Sequence, residues 1–165
     1  MLAIETLGKQ SGRDEFDCGV DELNNWLRTI ASQSDRRKNT LTRVALHPDD
    51  DRIVGYYATQ AYRLDGENLQ SAYGSAKAMY PKPAVLLARL ARCESVRGEG
   101  VGELLIAHAL RACVSVSEIT GVELVIVHAL DESAKRFYER FNFVPFLEHP
   151  LHMMLPVKEA AKAFA

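Results

Sequence analysis

The chain has 165 residues, 47% of them apolar and 25% charged, and a net charge of −2 at neutral pH. That size and balance predict one globular domain with its own core and exclude a protein held to nucleic acid or anionic membrane by overall charge, so a polyanionic partner needs a local patch. Cys18, Cys93 and Cys113 show no metal-ligand spacing, which points to a reducing cytoplasm; no histidine motif suggests a metal, and no stretch has the apolar length of a leader or a membrane span.

In chain order, residues 1–7 predict a short first strand and 11–18 a loop. Asp21 is expected as the N-cap of a helix whose apolar face carries Leu23, Trp26, Leu27 and Ile30, with Trp26 read as core. Segment 28–43 carries Arg28, Arg36, Arg37, Lys38 and Arg43 against the single acid Asp35. It reads either as a solvated helix end and loop or as a local phosphate-binding patch. Residues 42–46 and 52–61 predict a hairpin across the polar connection 47–51. Gly55 inside a strand marks a bulge or a close approach, and Tyr56 and Tyr57 should face opposite sides. Segment 65–83 is polar, rich in Gly, Ser and Ala, and is expected as a loop.

Segment 85–120 reads as strand, glycine-rich turn and helix. The strand, 85–93, is an apolar run interrupted only by Arg89 and Arg92. The helix shows apolar residues at Leu105, Ala109, Ala112, Val116 and Ile119, at three- and four-residue spacing. Between them, Gly98, Gly100 and Gly102 allow a sharp backbone turn into a helix N-terminus, whose first amides lack intrahelical partners and attract anions. Arg97 adds a full charge. A pyrophosphate cradle is one reading and a glycine turn without a ligand is the other. A P-loop is excluded because Glu103-Leu104 follows Gly102, and a dinucleotide fingerprint is excluded by the glycine spacing.

Residues 122–128 predict a buried strand, and Asp131 caps a helix carrying Ala134, Phe137, Tyr138 and Phe141. Asn142 to Pro145 ends that helix and opens another strand, and 152–157 gives the last one. The tail 158–165 is expected as a frayed or disordered helix, leaving 1–157 as a single domain. Early strands followed by a strand–helix–strand unit argue for an α/β fold with a mixed sheet.

The pattern Arg97-Gly98-Glu99-Gly100-Val101-Gly102 resembles the coenzyme A loop of the GNAT acetyltransferases. Further segments resemble one branch, the acetyltransferase toxins of the TacT/AtaT type: Phe16-Asp17-Cys18-Gly19 with Leu23-Asn24-Asn25-Trp26-Leu27; Ile53-Val54-Gly55-Tyr56-Tyr57; Arg89-Leu90-Ala91; His128-Ala129-Leu130-Asp131 with the helix through Phe137-Tyr138; and Pro150-Leu151-His152-Met153. Together they span nearly the whole chain. The resemblance implies the GNAT acyl-CoA N-acyltransferase fold, a mixed central sheet flanked by helices. It implies acetyl-CoA as donor without a metal, and the amino group of a charged tRNA as acceptor, so that the protein blocks translation as a toxin. It further implies a homodimer and an inhibitory antitoxin of ribbon-helix-helix type.

Carried over residue by residue, the resemblance implies cofactor contacts from Leu90, Ala91, Arg92, Cys93, Arg97, Gly98, Gly100, Val101, Gly102 and Glu103. It tips the basic segment toward tRNA contact through Arg36, Arg37, Lys38, Arg43 and Arg89. There are two departures from the family pattern. After Arg89-Leu90-Ala91 the family continues with an aliphatic residue and an acid, whereas Arg92 and Cys93 stand here. Asn142 replaces a common glycine, in a left-handed position that Asn tolerates.

Acetyl transfer needs a held thioester, a free amine and a proton for the departing thiolate. Backbone amides of strand 89–93 are expected beside the pantetheine arm. Tyr138 is the candidate proton donor, since a phenol is neutral at pH 7; alone it reads as a core tyrosine, and its match to the family's Phe-Tyr pair favours the donor. No general base stands out, with Glu94, Asp131 and His128 the remaining candidates. That favours an α-amine, with a reference pKa of about 7.7, over a lysine amine near about 10.4. The alternatives are a GNAT enzyme acting on a small or protein amine, and a non-catalytic module that binds coenzyme A.

Overall fold

The computed structural model describes residues 2–74 and 80–164. Seven strands form one hydrogen-bonded sheet in the order β1-β2-β3-β4-β5-β7-β6. The chain divides into two compact units, Met1–Gln60 with Ala88–Ala109, and Ala61–Leu87 with Leu110–Ala165. Met1 of the expected first strand lies outside the described residues, as does 75–79 of the expected loop.

In the first unit, β1 (Ala3–Thr6), β2 (Leu41–Leu46) and β3 (Ile53–Leu64) pair antiparallel, as the hairpin pattern predicted. Alternation separates the two tyrosines. Tyr56 stacks on Trp26 at 5.8 Å and donates its hydroxyl to the Leu23 carbonyl at 2.8 Å. Tyr57 meets His108 instead, with its hydroxyl 2.7 Å from Nδ1. Gly55 is a close approach: a Cβ there would lie 3.0 Å from both the Val101 and Leu105 side chains.

The N-terminal helical stretch runs through α1 (Asp21–Asn25), a wide π-turn over Trp26–Ile30, and α2 (Ala31–Arg36). Asp21 is the first helical residue and Val20 occupies the N-cap, making no side-chain cap bond, which corrects the expected cap. The π-turn closes through the Ala31 amide on the Trp26 carbonyl. One extra residue in that turn rotates the apolar stripe. Trp26, Leu27 and Ala31 are buried while Ile30 stays 44% exposed, so Ile30 does not belong to the core face.

β4 (Lys82–Arg92) gives its residues up to Leu87 to the second unit and the rest to the first; in the second unit it runs parallel to β5 (Leu124–His128) through Ala84 to Leu87, and β5 pairs antiparallel with β7 (His149–Pro156). The short β6 (Val144–Phe146) closes that edge. The segment expected as a loop instead holds α3 (Gly66–Tyr73), and β4 begins at Lys82. Polar composition hid α3, which buries only Ala72. Asp131 caps α5 (Glu132–Glu139) as expected, its Oδ1 accepting from the Ala134 amide at 2.8 Å. Asn142 takes the left-handed conformation at φ 71°. The tail forms α6 (Val157–Lys162), anchored by buried Val157 and Ala160.

The long helix α4 (Val101–Ser117) contributes residues to both units. Its buried stripe is Leu105, Ile106, Ala109, Leu110 and Cys113. The expected continuation through Val116 and Ile119 fails: these are 38% and 86% exposed, and the helix ends at Ser117. Among the described residues no helix is long and apolar enough to cross a membrane.

Candidate functional site

The glycine-rich turn of the first unit is shaped by backbone geometry. A short 3₁₀ turn, Glu94–Val96, leads into Gly98 and Gly100, both at φ 81°. That conformation costs an L-residue about 1–2 kcal/mol, so glycine is selected for φ; a Cβ at either site would meet nothing within 4 Å. Among the described residues, the amides of Gly98, Gly100, Val101 and Gly102 donate to no backbone carbonyl, and the first backbone bond of α4 is Leu104 to the Gly100 carbonyl at 3.0 Å. Unpaired amides at the positive end of a 17-residue helix make an anion cradle. Arg97 stands exposed at its rim, 3.5 Å from the Glu94 carboxylate, a surface pair weak enough for an anion to displace.

The N-terminal loop braces this turn. The Glu94 amide donates to the Asp17 carbonyl at 2.9 Å, and a Cβ on Gly19 would stand 2.7 Å from Glu94 Oε1. Asp17 Oδ1 accepts from the Gly19 amide and the Asn24 side chain, bonds that hold its carboxyl below the usual range. Glu103 lies in the first turn of α4.

On β4, Arg92 is half-buried, whereas Cys93 is buried and its amide is committed to the Val54 carbonyl at 2.8 Å. Burial pushes the Cys93 thiol up, keeping it an inert thiol. The parallel pairing of β4 with β5 spans Ala84 to Leu87, and Leu90, Ala91 and Arg92 lie on β4 beyond it.

A cavity of about 700 Å³ opens beside this strand, lined among others by Trp26, Gln33, Arg37, Lys38, Gln60 and Arg89. The sequence placed Trp26 in the core, and it is 5% exposed. Its ring also carries the Arg89 guanidinium, with Cζ 4.4 Å from the ring centroid. Of the expected basic residues, the cavity gathers Arg37, Lys38 and Arg89. Arg36 is exposed and not among its walls, and Arg43 donates to Thr6 Oγ1 at 3.0 Å on the sheet edge. Gln33 and Gln60 went unnoticed in the sequence, which offers no signal for them.

Tyr138 sits in the second unit on α5. Its ring is buried against Phe137 and Phe143, at 5.3 and 5.5 Å. Burial pushes its pKa well above the ordinary phenol value. Of the candidate bases, Asp131 is engaged as a helix cap and Glu94 pairs with Arg97. His128 stacks on His152 at 3.8 Å, and His149 stacks on the same ring at 3.6 Å. Burial, then repulsion from His149, lowers the His128 pKa, so it is neutral at pH 7. Among the described residues no His/Cys/Asp/Glu group converges as a metal site.

The acetyltransferase (GNAT) domain family matches residues 42–145, which include the cradle, β4 and Tyr138. The chain belongs to the GNAT acetyltransferases. It is an acetyl-CoA-dependent N-acetyltransferase, and the unpaired amides at Gly98, Gly100, Val101 and Gly102 fit the pyrophosphate of that donor. It is 31% identical over 147 residues to the tRNA-acetylating toxin of Mycobacterium tuberculosis (strain ATCC 25618 / H37Rv), covering 88% of this chain and 86% of the relative. It also superposes with TM-score 0.86 on AtaT complexed with acetyl-methionyl-tRNAfMet, at 28% identity and 100% of both chains. A mutant AtaT toxin bound to the C-terminus of the antitoxin AtaR and acetyl-CoA gives TM-score 0.86 at 28% identity, over 99% of this chain and 98% of that one. Within the GNAT frame the cavity at Trp26 and Arg89 is the feature the glycine motif did not announce.

Proposed function

We propose that this GNAT enzyme transfers the acetyl group of acetyl-CoA to the α-amino group of aminoacyl-tRNA and blocks translation as a toxin. The observation that carries the reading is the presence, in one unit, of two distinct anion-binding features: the amide cradle at the α4 N-terminus, and a cationic cavity flanking β4. A small-amine enzyme needs only the first. Similarity to a tRNA-acetylating toxin supports the same reading.

Bound acetyl-CoA supplies a thioester whose carbonyl carbon is open to an amine. Arg97, Gly98, Gly100, Val101, Gly102 and Glu103 hold its pyrophosphate end, and the Leu90, Ala91 and Arg92 backbone aligns the pantetheine arm. Cys93 supports that strand from within, through its bond to Val54. Tyr138 donates to the departing thiolate; its raised pKa keeps the phenol protonated throughout the working range. The α-amine of an aminoacyl ester is substantially free at neutral pH, so water or neutral His128 suffices to take its proton. Arg36, Arg37, Lys38, Arg43 and Arg89 meet the RNA. The working form is a cytoplasmic homodimer, silenced by an antitoxin of ribbon-helix-helix type.

Radiolabelled acetyl-CoA, incubated with the protein and a total charged-tRNA pool, tests this. Label should enter acid-precipitable RNA and leave it on mild alkaline hydrolysis of the aminoacyl ester. Tyr138→Phe should lower kcat at least tenfold with acetyl-CoA affinity unaltered. Label in protein or small amines alone would reject the acceptor, and an equally active variant would reject Tyr138.

A further inference from the structure

The cavity beside β4 carries an unmet hydrogen-bonding demand. Arg89 Nε is a buried side-chain atom with no hydrogen-bond partner among the described residues. Its guanidinium carbon stands over Trp26, 4.4 Å from the ring centroid, and Trp26 in turn stacks on Tyr56 with ring planes 12° apart. That contact anchors the guanidinium over the ring and leaves Nε as an unmet donor. A guanidinium edge is a donor fork matched to two oxygens of a phosphate or carboxylate. Burying such a donor unpaired costs about 1–3 kcal/mol, more for a charged group, which a bound anion relieves.

The surroundings favour phosphate. The cavity walls hold Arg37, Lys38 and Arg89 and no carboxylate. The nearest acid in sequence, Asp35, is occupied elsewhere: its Oδ1 accepts from the Thr40 and Thr42 hydroxyls at 2.7 and 2.8 Å, and its Oδ2 from the Thr42 amide at 2.9 Å. Lys38 sits at φ 63° in the turn that closes α2, its amide bonded to the Asp35 carbonyl, which holds its side chain at the cavity rim. Three cations exceed what one carboxylate needs. A volume of about 700 Å³ is far larger than a lone carboxylate needs and is wide enough to admit a nucleotide beside the phosphate.

From this we infer that the cavity is a single-nucleotide site for the acceptor RNA, in which Arg89 Nε and its neighbouring guanidinium nitrogen grip one backbone phosphodiester while Arg37 and Lys38 flank it. The inference rests on the aminoacyl-tRNA reading and sharpens it: of the five basic residues expected to touch RNA, Arg89 is the anchor and Arg36 and Arg43 are peripheral. Arg89 also adjoins Leu90 and Ala91, so a phosphate held there sets the depth of the RNA end along β4.

The test uses the full-length protein and charged tRNA, with the native protein's N-acetylated product as its entry condition. Absence of that product strikes the proposed function itself; the remaining arms address Arg89. Arg89→Gln should raise the KM for charged tRNA at least tenfold and leave the acetyl-CoA dissociation constant as it was. Arg89→Lys should recover only part of the loss, because a point charge lacks the fork. Lys162→Gln, an exposed cation on α6 of the second unit, should change KM by less than twofold. Because Arg89 covers Trp26, Arg37→Gln with Lys38→Gln on the exposed rim provides a variant free of folding effects, with the same direction expected. A charged RNA minihelix with single methylphosphonate substitutions at its 3′ end should reveal one position whose neutralisation costs the native protein affinity and costs Arg89→Gln nothing further. Unchanged KM in both the Arg89 and the rim variants, or binding of an acidic peptide lost while RNA binding stays intact, would overturn the assignment.

Discussion

At Gly100 the backbone holds φ 81° one residue before α4 begins, so a single Cβ there acts on conformation alone. Gly100→Ala should cost about 1–2 kcal/mol locally and turn the cradle amides away from the pyrophosphate. Calorimetric titration should show acetyl-CoA affinity falling at least fivefold; an unchanged value would mean the cradle is not the donor's site. Asn142, at φ 71°, makes the complementary case. Asn142→Gly should be neutral or stabilising in urea melts, whereas Asn142→Ala should lose about 1 kcal/mol. For Tyr138, burial raises the phenol pKa. Ionisation of this group therefore sets no alkaline limb near the ordinary value of about 10. A kcat profile that falls at pH 10 in the native protein and not in Tyr138→Phe would contradict the protonated-donor role.

Among the elements, β3 and α4 meet at Gly55, where a Cβ would stand 3.0 Å from Val101 and Leu105. Gly55→Ala should therefore destabilise the first unit by about 1–3 kcal/mol through overpacking, read as a lower urea midpoint. In the second unit the His128–His152–His149 stack gives a pH dependence. Burial first, then repulsion from His128 and His149, lowers His152 to about 4, and His128 is lowered as well. The unfolded imidazoles titrate near about 6.5. Between those values the unfolded chain binds more protons than the fold, so stability is full above about pH 6.5 and declines as pH falls toward 4. Urea melts at pH 7.5 and 5 should show that decline, and His152→Gln should flatten it.

Much of this element level was legible in the sequence, because its signals are local. The hairpin, the Asp131 cap, the left-handed Asn142 and the opposed tyrosines each follow from a residue's own stereochemistry or from strand alternation. What stayed hidden depended on partners distant in the chain. Nothing in residues 26–30 announces a π-turn, so regular helical spacing puts Ile30 on the core face that it leaves. Segment 65–83 lacks apolar periodicity because α3 buries one alanine only. The cradle could be read from its glycines, since φ > 0 leaves a mark in composition. The cavity could not, because it needs Trp26, Arg37 and Arg89 brought together from separate elements.

For the molecule as a whole, a net charge of −2 coexists with a cavity whose charged walls are cationic only. RNA affinity should therefore respond to salt as a local contact does. Three cations on single-stranded phosphate predict a slope of about −2 in log affinity against log salt. Fluorescence anisotropy with charged tRNA between about 50 and 200 mM salt measures it, and a flat response would remove the RNA from this surface. The chemical identity of the product decides between these acceptors. Nuclease digestion of a charged-tRNA pool after incubation with acetyl-CoA and the purified protein, followed by mass spectrometry, identifies the acetylated atom. N-acetyl-aminoacyl-adenosine, present with the native protein and strongly depleted with Tyr138→Phe, is the predicted result. Acetyl groups found only on lysine side chains or free small amines, with the aminoacyl-adenosines untouched, would contradict it.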